Sequence, residues 1–94
     1  MAEIIWTKRA RNDLRNIYEF ISLDSDFYAG RFILKLIGLT DSLQNFPLTG
    51  RIVPEKGDAS IRELIEGNYR IFYKTSKSNT IYILRVHHAA RQIR

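Results

Sequence analysis

Residues 60–88 read SIRELIEGNYRIFYKTSKSNTIYILRVHH. The pair Gly67-Asn68 separates two runs rich in β-branched and aromatic residues, and glycine supplies the positive φ that a two-residue hairpin needs. A polar segment, 75–80, leads to a third run whose Ile, Tyr, Leu and Val content is typical of a central strand. This stretch predicts three antiparallel strands, over residues 60–66, 69–74 and 81–87.

Two amphipathic helices are predicted upstream of these strands. Apolar residues recur at spacings of three and four over residues 8–21, and Thr7 is a suitable N-cap for that helix. The second helix spans 27–43 and ends before Pro47, because the residue preceding a proline avoids helical geometry. Residues 3–6 form a short strand candidate. Residues 47–59 hold two prolines and two glycines, which predicts a loop.

The element order β-α-α-β-β-β predicts an α+β fold with a helical hairpin packed on one face of a small antiparallel sheet. Residues 1–94 are short enough to form a single domain. The chain has no cysteine, which fits a reducing compartment and excludes disulfides and thiol chemistry. No signal peptide or membrane-length apolar run is visible. We therefore expect a cytoplasmic protein without membrane contact.

The surplus positive charge lies in the last third of the chain. Residues 1–60 hold as many Lys and Arg as Asp and Glu, whereas residues 61–94 account for the whole net charge of +5. Such a concentration predicts a partner rich in phosphate or carboxylate. No metal-ligand spacing, glycine-rich phosphate loop or Ser/His/Asp motif is present, so neither a metal nor another cofactor is expected.

The hairpin at Gly67-Asn68 sets Arg70 on one face with Glu63. If the next turn centres between Lys77 and Ser78, Arg70 lies opposite Arg85 and shares its face with His87. A register one residue different replaces His87 by His88. One imidazole is therefore expected near Arg70 in either case.

These residue types suit metal-independent RNA cleavage. His87 or His88 would transfer a proton, Glu63 or Glu66 would act as a base, and Arg70 would stabilise the phosphorane. The alternative reading makes Arg70 and Glu63 a structural ion pair. A second alternative is target recognition, in which the phosphate-binding or target-binding arginines are Arg62, Arg70, Arg85 and Arg91.

Several short motifs follow one another in a characteristic order. They are WT at 6–7, AxxDLxxIY at 10–18, FPxxGR at 46–51, REL at 62–64, YRIFY at 69–73 and ILRVHHAAR at 83–91. Together they resemble the RelE/ParE superfamily of bacterial toxins from type II toxin–antitoxin modules. The fold of that superfamily is a helical hairpin on a small antiparallel sheet, in agreement with the pattern above.

The resemblance implies one of two activities. RelE-like members cleave mRNA on the ribosome, and Arg70 matches their phosphate-binding arginine, with His87 near the position of a C-terminal acid. ParE-like members poison DNA gyrase. The lysine pair of RelE-like nucleases is replaced here by Arg62-Glu63, which resembles the ParE-like branch. The resemblance thus favours a gyrase poison, with a ribosome-dependent endoribonuclease as the alternative and a non-toxic basic nucleic-acid-binding domain as a third possibility.

A cognate antitoxin is the partner that the resemblance implies, in addition to DNA gyrase or the ribosome with mRNA. Amphipathic helices and open strand edges leave room for a partner helix or strand. The residues predicted to contact an antitoxin are Leu14, Tyr18, Phe27 and Ile37.

Overall fold

A computed structural model describes residues 1–89, and five strands and two α-helices follow one another within them. In chain order the elements are β1 (Glu3–Trp6), α1 (Lys8–Ser22), α2 (Asp26–Asp41), a 3-10 turn (Ser42–Gln44), β2 (Arg51–Ile52), β3 (Ile61–Glu66), β4 (Tyr69–Thr75) and β5 (Thr80–His88). The predicted α+β fold is confirmed. Within the same residues, neither helix is long and apolar enough to cross a membrane.

The strands form one sheet in the order β1-β5-β4-β3-β2. β1 runs parallel to β5, and the remaining neighbours are antiparallel. Two details were not predicted from the sequence. The sheet is mixed because β1 joins it beside β5 after the helical hairpin crosses over. The predicted loop over 47–59 also contains β2, a two-residue strand too short to leave a periodic pattern.

Side-chain caps begin both helices. Thr7 accepts a hydrogen bond from the backbone N–H of Ala10, as the sequence predicted, and Ser25 accepts one from Tyr28. The Thr7 hydroxyl also donates to the carbonyl of Ile83 at 2.8 Å, which ties the start of α1 to β5. The last predicted turn of α2 tightens into the 3-10 turn, as is common at helix C-termini.

Both helices pack against one side of the sheet, which we call the helical face. The buried core there contains Ile17 and Leu36 from the helices together with residues of β4 and β5: Ile71, Tyr73, Ile81, Ile83 and Val86. We call the opposite side the outer face. Because side chains alternate along a strand, Glu63, Arg70 and His87 lie on that outer face.

The Gly67-Asn68 hairpin has the predicted register, with Ile65 opposite Arg70 and Glu63 opposite Phe72. The next hairpin differs from the predicted one. Two one-residue offsets place Arg70 opposite His87 rather than Arg85: the turn centres at Ser78, and a bulge in β5 opposite Phe72 and Tyr73 shifts the register once more. The expectation that one imidazole lies beside Arg70 is confirmed, and that imidazole belongs to His87.

Candidate functional site

Arg70 and Glu63 form a buried ion pair on the outer face. The Arg70 Nε–H donates to Glu63 Oε1 at 2.8 Å, and Nη2 donates to Oε2 at 2.9 Å. The two side chains are 9% and 0% exposed. Glu63 projects from β3 and Arg70 from β4, two residues off the directly opposed position, a spacing that long side chains bridge. The ion-pair reading of these two residues is therefore confirmed.

A second carboxylate binds the other edge of the same guanidinium. Glu55, in the loop between β2 and β3, accepts hydrogen bonds from Arg70 Nη1 at 2.8 Å and Nη2 at 3.0 Å. Four of the five N–H donors of Arg70 are thus engaged in two side-on carboxylate pairs. Glu55 was not predicted from the sequence, because it belongs to an aperiodic loop and reaches Arg70 only through the tertiary fold.

Arg51 adds a second cation to this group. Its Nε lies 3.3 Å from Glu63 Oε2, and its side chain is 61% exposed. We call Arg51, Glu55, Glu63 and Arg70 the ionic network. Two positive and two negative charges cancel within it, so the charge of Arg70 is compensated inside the protein.

Aromatic rings pack against the ionic network. The Arg70 guanidinium carbon lies 4.7 Å from the centroid of the Phe72 ring, and Phe72 in turn meets the His87 ring edge-on at 5.7 Å. Phe72 is fully buried, and His87 is nearly so. These buried rings lower the local dielectric constant, which strengthens the ionic hydrogen bonds beside them. The site consequently holds Arg70 in one orientation, with its charge directed at the two carboxylates.

The ionic network changes the acidity of its members. The hydrogen bonds from Arg70 lower the pKa of Glu55 from 4.5 to about 2. Hydrogen bonds to Glu63 and then to Glu55 raise the pKa of Arg70. In the loop beside them, hydrogen bonds from Ser60 lower the pKa of Asp58. Glu55 and Arg70 therefore stay charged throughout the physiological range.

The lowered pKa of Glu55 predicts acid sensitivity. A depressed carboxyl pKa stabilises the folded state above the unfolded-state value of 4.5, and this contribution disappears as the pH falls toward about 2. We expect the stability difference between the wild type and Glu55→Gln to shrink as the pH falls through this window. Urea unfolding at successive pH values measures it. A constant difference would contradict the assignment, because the contribution of Asp58 is common to both proteins.

The other predicted basic residues do not join Arg70. Arg62 lies opposite the core residue Tyr73 and donates to the carbonyl of Gly50 at 2.8 Å. Arg85, beside the bulge in β5, reaches α1 and forms two hydrogen bonds with the Asp13 carboxylate. Arg91 lies outside the described residues. The predicted gathering of arginines around Arg70 is therefore not found for Arg62 and Arg85, and Arg51 lies there instead.

Asp13 connects α1 to β5 at this point. Its carboxylate accepts bonds from Arg85 and also from the backbone N–H of Val86 at 2.9 Å. The hydrogen bonds to Asp13 raise the pKa of Arg85. Arg85 thus has a structural partner on α1, which was not predicted from the sequence.

His88 is exposed and lies apart from Arg70. Its ring meets Tyr69 edge-on at 5.6 Å, and Tyr69 contacts Phe32 of α2. A groove of about 450 Å³ opens here between α1 and the end of β5. Its lining residues are Asp13, Asn16, Ile17, Phe20, Tyr69, Val86, His87 and His88. Over residues 1–89, no group of three or more His, Asp or Glu side chains is placed to hold a metal ion.

The four residues predicted to contact an antitoxin divide into two pairs. Leu14 and Ile37 are half-buried, and Leu14 packs against the core. Tyr18 and Phe27 are 39% and 67% exposed. More strongly exposed apolar residues, not predicted as contacts, lie on the same two helices or just after α1: Phe20, Leu23, Tyr28 and Leu34. We call these four residues with Tyr18 and Phe27 the hairpin apolar surface.

Comparison with known proteins identifies the family of this chain. The family model described as ParE toxin of the type II toxin–antitoxin system, parDE, matches residues 4–93. This chain belongs to that toxin family. Toxin RelE2 of Caulobacter vibrioides is 34% identical over 91 residues, covering 97% of this chain and 99% of that protein. The family is therefore shown both by a family model and by a relative that aligns almost end to end.

Two solved structures share the fold of this ParE-family chain. One is a chromosomal ParDE toxin–antitoxin system from P. aeruginosa, with a TM-score of 0.75, 23% identity, and coverage of 94% of this chain and 96% of that one. The other is the RelBE2 toxin–antitoxin complex from Mycobacterium tuberculosis, with a TM-score of 0.70, 23% identity, and coverage of 93% and 96%. The same scaffold therefore occurs under both the ParE and the RelE names.

Proposed function

We propose that this ParE-family protein inhibits growth by poisoning DNA gyrase. The observation that carries the proposal is the state of Arg70. A nuclease would use this guanidinium to stabilise a phosphorane, but here two carboxylates already engage it and cancel its charge. The match to the ParE model over residues 4–93 and the Arg62-Glu63 pair on β3 support the same choice.

One observation favours a ribosome-dependent endoribonuclease as the second candidate. Arg70 and His87 are directly opposed on β4 and β5, so a cation and a proton-transfer group lie side by side. Glu63 lies beside them as a potential base. In this alternative, Glu55 would have to leave Arg70 before phosphate could bind.

We also propose that a cognate antitoxin covers the hairpin apolar surface. Large exposed apolar surfaces on small soluble proteins mark binding sites for other proteins. An apolar helix face on the antitoxin would complement Phe20, Leu23 and Phe27, and acidic side chains would complement the net charge of +5. The structural relatives described above are themselves toxin–antitoxin systems.

A supercoiling assay tests the gyrase proposal. We expect the purified protein to block supercoiling, or to trap cleaved DNA, at near-stoichiometric ratios to gyrase. Arg91→Ala should weaken this inhibition, whereas Lys77→Ala, which removes the same charge at the turn between β4 and β5, should leave it unchanged. Normal supercoiling in a large excess of folded toxin would overturn the proposal.

Primer extension separates the two candidates. During growth arrest caused by the induced protein, a gyrase poison leaves mRNA intact, whereas a ribosome-dependent nuclease produces cuts within codons. Codon-specific cuts together with normal supercoiling would establish the nuclease alternative. Growth without arrest would favour the third reading, a non-toxic nucleic-acid-binding domain with strongly salt-dependent affinity.

A further inference from the structure

The two carboxylates bound to Arg70 differ in accessibility. Glu63 lies within the sheet, and its side chain is fully buried. Glu55 lies in the loop after β2, and its side chain is 32% exposed. Both accept two hydrogen bonds from the same guanidinium. Glu63 is therefore a fixed part of the fold, whereas Glu55 can leave without exposing the core.

The place that Glu55 occupies has the shape of a carboxylate site. Arg70 Nη1 and Nη2 present parallel donors to two coplanar oxygens, at 2.8 Å and 3.0 Å. Ile65, directly opposite Arg70 on β3, is 56% exposed on the same face. The exposed side chain of Arg51 lies across Glu63 from Arg70. The apolar side chain of Ile65 and a second cation, Arg51, thus lie beside the Arg70 guanidinium.

We propose that Glu55 is an internal occupant of a carboxylate-binding site on Arg70, and that an acidic segment of a protein partner displaces it. The incoming carboxylate would accept the same two hydrogen bonds, and its apolar neighbours would pack on Ile65. This proposal deepens the proposed function, because it requires the target or the antitoxin to be a protein with acidic residues at its interface.

Charge favours a carboxylate over a nucleic-acid backbone at this site. Glu63 stays under Arg70, and Glu55 remains on its loop after displacement, so the ionic network keeps a net charge of zero. Closely spaced phosphates would meet both glutamates. One carboxylate between apolar residues brings a single negative charge, fewer than a run of phosphates brings, and its apolar neighbours gain contact with Ile65.

Peptide binding by two matched variants tests the inference. Glu55→Ala removes the internal occupant. Glu66→Ala is the control, because Glu66 also forms a partly exposed ion pair, with Lys35 at 3.2 Å, away from Arg70. The probe is a fluorescent peptide of alternating Leu and Glu, followed by anisotropy. The peptide binds only those wild-type molecules in which Glu55 has left Arg70, and this lowers its apparent affinity. We therefore expect Glu55→Ala to bind the peptide roughly tenfold tighter than wild type, and Glu66→Ala to bind it within about twofold of wild type.

A single-stranded oligodeoxythymidylate is the competing probe. Both variants gain one unit of net charge, so their affinities for the oligonucleotide should rise equally. Equal peptide affinities in the two variants would overturn the inference. A gain in oligonucleotide affinity confined to Glu55→Ala would overturn it as well, because the vacated site would then select phosphate.

Nuclear magnetic resonance locates the binding event without a variant at Arg70. In Glu55→Ala, the Nε–H resonance of Arg70 should shift saturably as peptide is added, with the affinity found by anisotropy. An unmoved resonance would place the peptide elsewhere and refute the inference. Gyrase inhibition without the peptide preference would remove this inference alone, whereas the peptide preference without gyrase inhibition would remove only the gyrase target.

Discussion

Replacing Arg70 with alanine should lower the free energy of unfolding by about 3–5 kcal/mol, because the change leaves a buried carboxylate without its main partner. Glu63 is only 1% exposed, so water cannot replace the two hydrogen bonds that Arg70 provides. Typical domains are stable by about 5–15 kcal/mol, so this loss is a large share of the total. Urea unfolding measures it.

The double variant Glu63→Leu/Arg70→Met separates charge from packing at the same place. Replacing both ions with apolar side chains removes the unpaired charge, and such exchanges are often close to neutral. We therefore expect the double variant to be much more stable than Arg70→Ala. Near wild-type stability of Arg70→Ala would contradict the structural role that we assign to the ion pair.

This pair of variants also bears on function. Loss of toxicity in Arg70→Ala alone has two explanations, an unfolded protein or a missing catalytic cation. The folded double variant lacks the guanidinium without exposing a buried charge. Growth arrest by the double variant would exclude Arg70 as a required catalytic group. Loss of both growth arrest and mRNA cleavage in the double variant would support the nuclease alternative.

Replacing Gly50 with alanine should destabilise the fold by about 1–3 kcal/mol through overpacking. A Cβ atom at this position would lie 2.5 Å from the carbonyl oxygen of Glu63 and 2.7 Å from the Tyr73 ring. The backbone N–H of Gly50 also donates to the Tyr73 hydroxyl at 2.9 Å, and that hydroxyl donates to the carbonyl of Pro47. Relief of the clash therefore strains a buried hydrogen-bond network.

Gly38→Ala is the matched control for this prediction. Gly38 lies within α2, and a Cβ atom there would meet nothing within 4 Å. Alanine is the better helix former, so the same substitution should stabilise the protein by about 0.5–1 kcal/mol. Thermal unfolding should move in opposite directions for the two variants. Equal shifts would show that close packing at Gly50 does not constrain the loop before β2.

Local sequence patterns were sufficient for most of the fold. Thr7 and the spacing of three and four placed α1 correctly, because caps and apolar stripes act within a few residues of one another. Gly67-Asn68 set the register of the β3–β4 hairpin, because a two-residue turn leaves one pairing. The segment before β3 offered no such signal, so β2 was missed.

The site was predictable only in part. Arg70, Glu63 and an imidazole were expected together, because one tight turn and the strand alternation place them on one face. Glu55 was missed because its loop has no periodicity. Arg85 was misplaced beside Arg70, because the sequence does not show that a bulge lies next to it or that Asp13 of α1 accepts its hydrogen bonds.

By itself, the sequence determined the order of the elements, their amphipathic faces and the basic C-terminal third, since propensity, alternation and charge are local properties. The tertiary structure decided which groups face each other across β4 and β5. The turn after β4 centres at Ser78 and not, as predicted, between Lys77 and Ser78. This offset alone would place His88, rather than His87, on the same face as Arg70. The bulge adds a second one-residue offset. Together the two offsets return His87 to the face that carries Arg70 and place it directly opposite Arg70. Only the folded chain could fix this outcome, because the turn closes with Asn79 at positive φ, and the bulge lies beside the hydrogen bonds of Arg85 and Val86 to Asp13 of α1.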